Sequence, residues 1–429
     1  MYSEKINNIL KKLGIEIGDK IIVEKNGKEY KGILMPRTFY NPEILVLKLE
    51  NGYNIGIAWD ENIKIKLVSK FEKPCKKPEE KAECKNENAI SILLTGGTIA
   101  SKVDYRTGGV TPIMDANELI GAIPEIKDIS EIKSRVIMQV FSENMNFDCY
   151  EKMIKEIEKE IKQGCEGIII AHGTDTMHYS SAAISFAFQN LGIPLIFVGA
   201  QRSSDRGSSD AAINLISACI FAKHSNVSGV FVCMHESISD YTCAIHLGTR
   251  VRKLHTSRRD AFKTVNAKPV ARVFWREKKI EWIEKDCVKE KNKERELKIY
   301  PKFERKVALI KIHPGFNPEL IEFLLEKGYK GIVLEGTGLG HAPDYTFDAI
   351  KQACEQAIVC MTSQCIFGRI NMKVYSTGRD LLKFGVIPCE MLPEVAFIKL
   401  SWALGNFTEQ EAKEIMQKNI AGEIVERIL

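Results

Sequence analysis

Two short stretches join threonine hydroxyls to the glycines needed to expose them. Thr95-Gly96-Gly97-Thr98-Ile99-Ala100 follows directly on the apolar run Ile90-Ser91-Ile92-Leu93-Leu94. Adjacent glycines permit a tight turn that presents Thr98 beyond a strand end, flanked by backbone N–H donors of the kind that hold an oxyanion. The same letters also fit a Gly-rich strand-to-helix turn with a capping Thr. They do not fit a phosphate-binding loop, since neither Gly-Lys-Ser/Thr nor G-x-G-x-x-G is present. His172-Gly173-Thr174-Asp175-Thr176-Met177 ends a second apolar run, Gly167 to Ala171. There Thr174 and Asp175 fit the N-cap of a following helix as well as a reactive site. A threonine is a weak nucleophile and requires a nearby base or amine. Lys253, within Gly248-Thr249-Arg250-Val251-Arg252-Lys253-Leu254-His255, is an available amine, although alone that stretch reads as a solvated basic loop.

Other chemistries fit less well. His235, His246 and His255 lack the i, i+4 spacing of a helical zinc site and have no Cys pair beside them, so no metal is expected. No Gly-x-Ser-x-Gly elbow follows a strand. Gly336-Thr337-Gly338-Leu339-Gly340 lacks dinucleotide-loop spacing and reads as a tight turn.

The elements that must position these residues follow from hydrophobic patterning. Continuous apolar runs at 90–94, 167–171, 195–198 and 229–232 read as buried parallel strands, the first three followed by a turn that carries Gly. The stretch Ser180 to Ala187 has the period of a crossover helix. The class is therefore α/β, doubly wound, and such sheets bind ligands at the carboxyl ends of their strands. Both Thr-bearing turns fall there. A charged, apolar-poor stretch, 286–304, precedes further runs at 307–310, 331–334, 357–360 and 386–387, which predict a smaller C-terminal lobe. Residues 1–69 predict a small SH3-like β barrel, with hairpin turns at Asn26-Gly27 and Asn51-Gly52. Residues 70–88 carry six Lys, five Glu and two Pro, the composition of a linker.

At 429 residues the chain has room for two or three domains, and 45% hydrophobic with 27% charged residues is ordinary globular composition. A net charge of +5, from 61 basic and 56 acidic residues, falls short of what binding nucleic acid alone would need. Twelve cysteines without a C-x-x-C pair read as buried thiols of a reducing cytosol. No signal peptide or membrane span is expected, because the longest apolar stretch is broken by Gln189, Asn190, Gly192 and Pro194.

The two Thr motifs, in this order and about 75 residues apart, resemble the paired signatures of the bacterial-type L-asparaginase family. The resemblance covers residues 89–429, including Phe141 to Met145, Val198 to Arg202 and the Lys253 loop. It implies an asparaginase-like body of two lobes, 89–285 and 305–429. It further implies Thr98 as nucleophile with Tyr105 near it, and a second triad in which Lys253 helps deprotonate Thr174 and Asp175 holds the substrate ammonium. Ser142 would contact the substrate carboxylate, and beside it Glu143 stands where many asparaginases carry Gln. Gly97 and Gly173 would offer the turn N–H groups that hold the oxyanion.

The β module before residue 70 is foreign to a plain asparaginase. Module, charged linker and body together resemble the D-subunit family of archaeal glutamyl-tRNA(Gln) amidotransferases. That resemblance implies a cytoplasmic glutaminase that releases ammonia for a partner, the E subunit. The partner would convert Glu-tRNA(Gln) to Gln-tRNA(Gln) with ATP and Mg2+, both held mainly by it, while this chain holds no cofactor. It also implies a homodimer within a D2E2 heterotetramer. The alternatives are a free-standing cytosolic L-asparaginase or glutaminase, and a non-catalytic sensor of small amides.

Overall fold

The structure, a computed structural model, describes residues 2–35, 42–49, 54–70, 88–97, 101–103, 110–112, 123–202 and 208–425. Its N-terminal unit is a five-stranded antiparallel sheet preceded by a helix, Glu4–Lys12. Sequence patterning gives only the strands. The helix is a short amphipathic one, N-capped by Ser3, whose Ile6 and Leu10 enter a core with Ile21, Val23, Leu34, Leu45 and Leu47. Strands Lys20–Lys25 and Lys28–Leu34 form the expected hairpin, with φ of 51° at Asn26 and 72° at Gly27. Both central residues thus take the left-handed conformation of a two-residue turn. The Asn51-Gly52 turn and nearly all of the linker lie outside the described residues.

The large sheet runs Lys279–Trp282, Ala271–Phe274, Thr242–Leu247, Val227–His235, Pro194–Val198, Gly167–Ala171, Ile90–Leu94, Ile132–Val136. The last five of these are mutually parallel, and the apolar runs of the sequence lie among them. The first three pair antiparallel and extend the sheet beyond the doubly wound portion. Of these, Ala271–Phe274 escapes an apolar-run search because its burial alternates. Ile168 and Ile170 face one core with helices Phe147–Lys162 and Met177–Ala187, whereas Ile169 and Ala171 face the other with helix Ala211–His224.

The C-terminal lobe is a four-stranded parallel sheet, Val307–Lys311, Gly331–Gly336, Ile358–Ser363 and Ile387–Pro388. Its helix Pro393–Asn406 packs against helix Met177–Ala187 of the first lobe, with the Phe186 and Trp402 rings stacked 5.5 Å apart. One hydrophobic core therefore runs through both lobes. The charged stretch between them is docked rather than free. Lys289–Glu290 pairs with Val227–Ser228, Lys298–Ile299 pairs with Phe188–Gln189, and Arg295 donates to Leu191 O and Ser228 Oγ. The ten described cysteines are free thiols, six of them buried. Among the described residues no helix is long and apolar enough to cross a membrane.

Candidate active site

Strands Ile90–Leu94 and Gly167–Ala171 pair in parallel with Leu94 opposite Ala171, so the two Thr motifs leave the sheet side by side. Thr95 fixes their junction, since its backbone N and its Oγ1 each lie 3.0 Å from Ala171 O. The turns then touch through their backbones. A Cβ on Gly97 would lie 2.4 Å from both Cα and N of Gly173, and Gly97 has φ of +82°. On Gly173 a Cβ would meet Ser142 Cβ and Oγ at 2.8 Å. Both glycines are thus required by close approach.

Ser142 is buried below the second turn. Its Oγ accepts from Asp175 N at 3.3 Å, and its carbonyl accepts from Thr176 Oγ1 at 2.6 Å. Glu143, the next residue, is exposed. Gly199 closes the other side, where a Cβ would lie 2.6 Å from Met177 Cε and 2.9 Å from Thr174 Cγ2.

Lys253 ends strand Val251–Lys253, which pairs with Phe262–Thr264. Its Nζ lies 2.8 Å from Thr174 Oγ1 and 2.7 Å from Asp175 Oδ1. The Lys253 side chain is 9% exposed and that of Asp175 64%, so the amine sits inside and the carboxylate at the mouth. Lys253, 79 residues from Thr174 in sequence, therefore forms one hydrogen-bonded group with Thr174 and Asp175. Thr98 and Tyr105 lie outside the described residues.

Behind the triad is a polar layer that sequence reading missed. His172 is fully buried, with Nδ1 2.6 Å from Gly173 O and Nε2 2.9 Å from Ser180 Oγ. Burial pushes its pKa down to about 4. The bonding pattern then assigns the proton to Nδ1, with Nε2 accepting from Ser180. His178 is pushed down to about 3 by burial and by the charges of Arg252 and Lys253. Near it the buried Glu394, on helix Pro393–Asn406, lies 3.4 Å from Arg252 Nε and 3.9 Å from His178 Nε2. Burial raises the Glu394 pKa, against the pull of Arg252. The available signal was a lone Glu inside the apolar run Leu392 to Ala403. Among the described residues no group of three or more His, Cys, Asp or Glu side chains gathers as for a metal ion.

Comparison with known proteins finds matches to three family models. Residues 89–287 match the family model "Asparaginase, N-terminal", and 306–417 match "Glutaminase/Asparaginase C-terminal domain". Residues 15–68 match "GatD N-terminal domain". A glutamyl-tRNA(Gln) amidotransferase D subunit from Pyrococcus furiosus is 50% identical over 98% of this chain and 97% of its own length. The chain belongs to the family of glutamyl-tRNA(Gln) amidotransferase D subunits. The corresponding D subunit from Methanococcus maripaludis strain S2 is 48% identical over 96% of this chain and 99% of its own. Among solved structures, the thermostable L-asparaginase of Thermococcus kodakarensis is similar with a TM-score of 0.68 and 30% identity. It covers 79% of this chain and 99% of its own. L-asparaginase I of Vibrio cholerae gives 0.69 and 28%, with the same coverage. The D-subunit family thus combines an asparaginase-type body with the N-terminal sheet.

Proposed function

We propose that this chain is the glutaminase subunit of a tRNA-dependent amidotransferase. The observation that carries the reading is the Lys253–Thr174–Asp175 group at the mouth of an asparaginase-type sheet, in a chain that also bears the D-subunit N-terminal module. In this reading Thr98 Oγ1 attacks the side-chain amide carbon of glutamine and forms a tetrahedral oxyanion, its hydroxyl proton passing on toward the leaving nitrogen. The N–H groups of the Gly97 and Gly173 turns hold that oxyanion, and losing one such donor costs about 10²–10³ in rate. Collapse breaks the C–N bond, and the nitrogen takes a proton and leaves as ammonia. Water then hydrolyses the acyl-threonine ester to release glutamate.

Lys253, with its Nζ 2.8 Å from Thr174 Oγ1, helps deprotonate Thr174. Asp175, open to solvent, takes the substrate ammonium, and Tyr105 serves the Thr98 step. Ser142 and Glu143 lie beside the second turn, on the side assigned to the substrate carboxylate.

The ammonia passes to a partner, the E subunit, in a cytoplasmic D2E2 assembly built on a homodimer of this chain. The partner holds ATP, Mg2+ and most of Glu-tRNA(Gln). The chain's +5 charge suits a protein that shares rather than carries the RNA.

The test combines the chain with its partner, ATP, Glu-tRNA(Gln) and glutamine labelled with ¹⁵N in the amide. Label is expected in Gln-tRNA(Gln). Rapid asparagine hydrolysis by the isolated chain, unchanged by partner and tRNA, would instead support a free-standing asparaginase.

A further inference from the structure

Residues 418–425 lie beyond the segment matching the glutaminase/asparaginase C-terminal domain, yet they are bonded to the loop that leads into Lys253. Arg250 is half-buried and spreads its guanidinium over this tail. One arm donates to Gly422 O and the other to Ile424 O at 2.8 Å. Thr249 Oγ1 donates to Ala421 O at 3.0 Å. Gly422 also sits tight on the large sheet, for a Cβ there would lie 2.5 Å from Leu247 Cδ2 and its φ is +83°. The tail is itself clamped from below. Glu423 accepts from the backbone N–H groups of Ile420 and Ala421, and pairs at 2.5 Å with Lys399, both side chains being fully buried.

We propose that this tail is a latch that fixes the approach of Lys253 to Thr174, with Arg250 and Gly422 as its positioning residues. Strand Val251–Lys253 is only three residues long and pairs with another three-residue strand. The pairing is continued by Val265 N to Arg250 O at 2.8 Å and Leu254 N to Ala261 O at 2.7 Å, so Arg250 joins it to the tail, its carbonyl bonded to the one and its side chain to the other. The Arg250 fork fixes the pairing from the preceding turn, three residues before the amine. The inference rests on the proposed role of Lys253 in amide hydrolysis. A shift of about 1 Å in a reacting group costs up to about 10²-fold in rate, so a slack latch slows chemistry before it unfolds the chain.

The experiment uses the full chain with Arg250→Ala, Gly422→Ala and Lys253→Ala variants. It measures kcat and KM for ammonia release from glutamine, the thermal midpoint, and labelling of Lys253 by an amine-directed reagent with Lys162 as surface control. Arg250→Ala and Gly422→Ala, which loosen the tail by different routes, are expected to lower kcat at least about ten-fold with KM within about two-fold. Lys253 labels faster in both while Lys162 does not change. Arg250→Lys, with one donor centre in place of a fork, falls between. Wild-type kcat and labelling in both variants, with Lys253→Ala inactive, overturns the latch and leaves the function standing. A fall in midpoint and kcat without faster Lys253 labelling also overturns it. An active Lys253→Ala overturns the catalytic reading instead, and the labelling rates then decide the latch independently.

Discussion

At the scale of single residues, the Lys253 amine is turned inward yet stands apart from the hydrophobic core. Lys253 reaches Thr174 and Asp175 from a short strand and fills no core, so its removal should cost rate rather than fold. Lys253→Ala is expected to lower kcat/KM for ammonia release by about 10²–10⁴-fold. Its circular dichroism and thermal midpoint should match wild type within a few degrees, and near-wild-type ammonia release would remove Lys253 from the mechanism. His172 and His178 bear on stability. Folded, they take up protons only at about pH 4 and about pH 3, whereas an unfolded imidazole does so near 6.5. Their contribution is therefore complete above pH 6.5, and each loses about 1.4 kcal/mol per unit as pH falls from 6.5 toward the folded value. The urea midpoint should decline over that window, and His178→Gln should flatten the decline. An equally steep decline in that variant would show that other groups govern it.

Among the elements, two parallel strands in register bring the Thr-bearing turns together, and paired glycines let them touch. Gly97→Ala forces a Cβ against the Gly173 backbone at a positive φ, so repacking cannot relieve it with a side-chain rotation. It should destabilise by about 1–3 kcal/mol and lower ammonia release more than ten-fold. Unfolding in urea beside the steady-state assay checks both, and a fully active, equally stable variant would mean that the turns do not need this contact. The helix carrying Glu394 and Lys399 shows the same dependence between elements. Its charges are buried because partners arrive from other segments, Arg252 for the first and Glu423 for the second.

Over the whole molecule, the three largest sheets of the described residues divide the work. Among the described residues, the N-terminal sheet closes its own core from Tyr2 to Ile65 and none of it enters the cores of the body. A chain lacking residues 1–87 should then release ammonia from glutamine with kcat within about two-fold of wild type. It should lose amide transfer to tRNA in the presence of partner, if the module docks the assembly. Side-by-side assays of release and transfer decide this, and equal loss of both would place the module in the glutaminase itself. The two lobes of the body, by contrast, share one core through Phe186 and Trp402, and are expected to unfold together.

The sequence alone determined what depends on local pattern. Uninterrupted apolar runs gave the buried parallel strands, Asn26-Gly27 gave a hairpin, and the glycines beside Thr95 and Thr174 marked turns at strand ends. It also carried the family resemblance, in motifs whose residue types the chemistry demands. The short helix Glu4–Lys12 and the alternating strand Ala271–Phe274 were not legible, since nine residues or a half-buried four-residue strand leave only a weak period. Tertiary structure alone decided that Lys253 is an inward amine rather than part of a solvated loop, because Thr174 lies 79 residues away in sequence and 2.8 Å away in space. It alone placed Glu394 behind the site and the tail over Arg250. Those contacts join segments up to 174 residues apart, and no local periodicity encodes which distant backbone carbonyl a guanidinium will find.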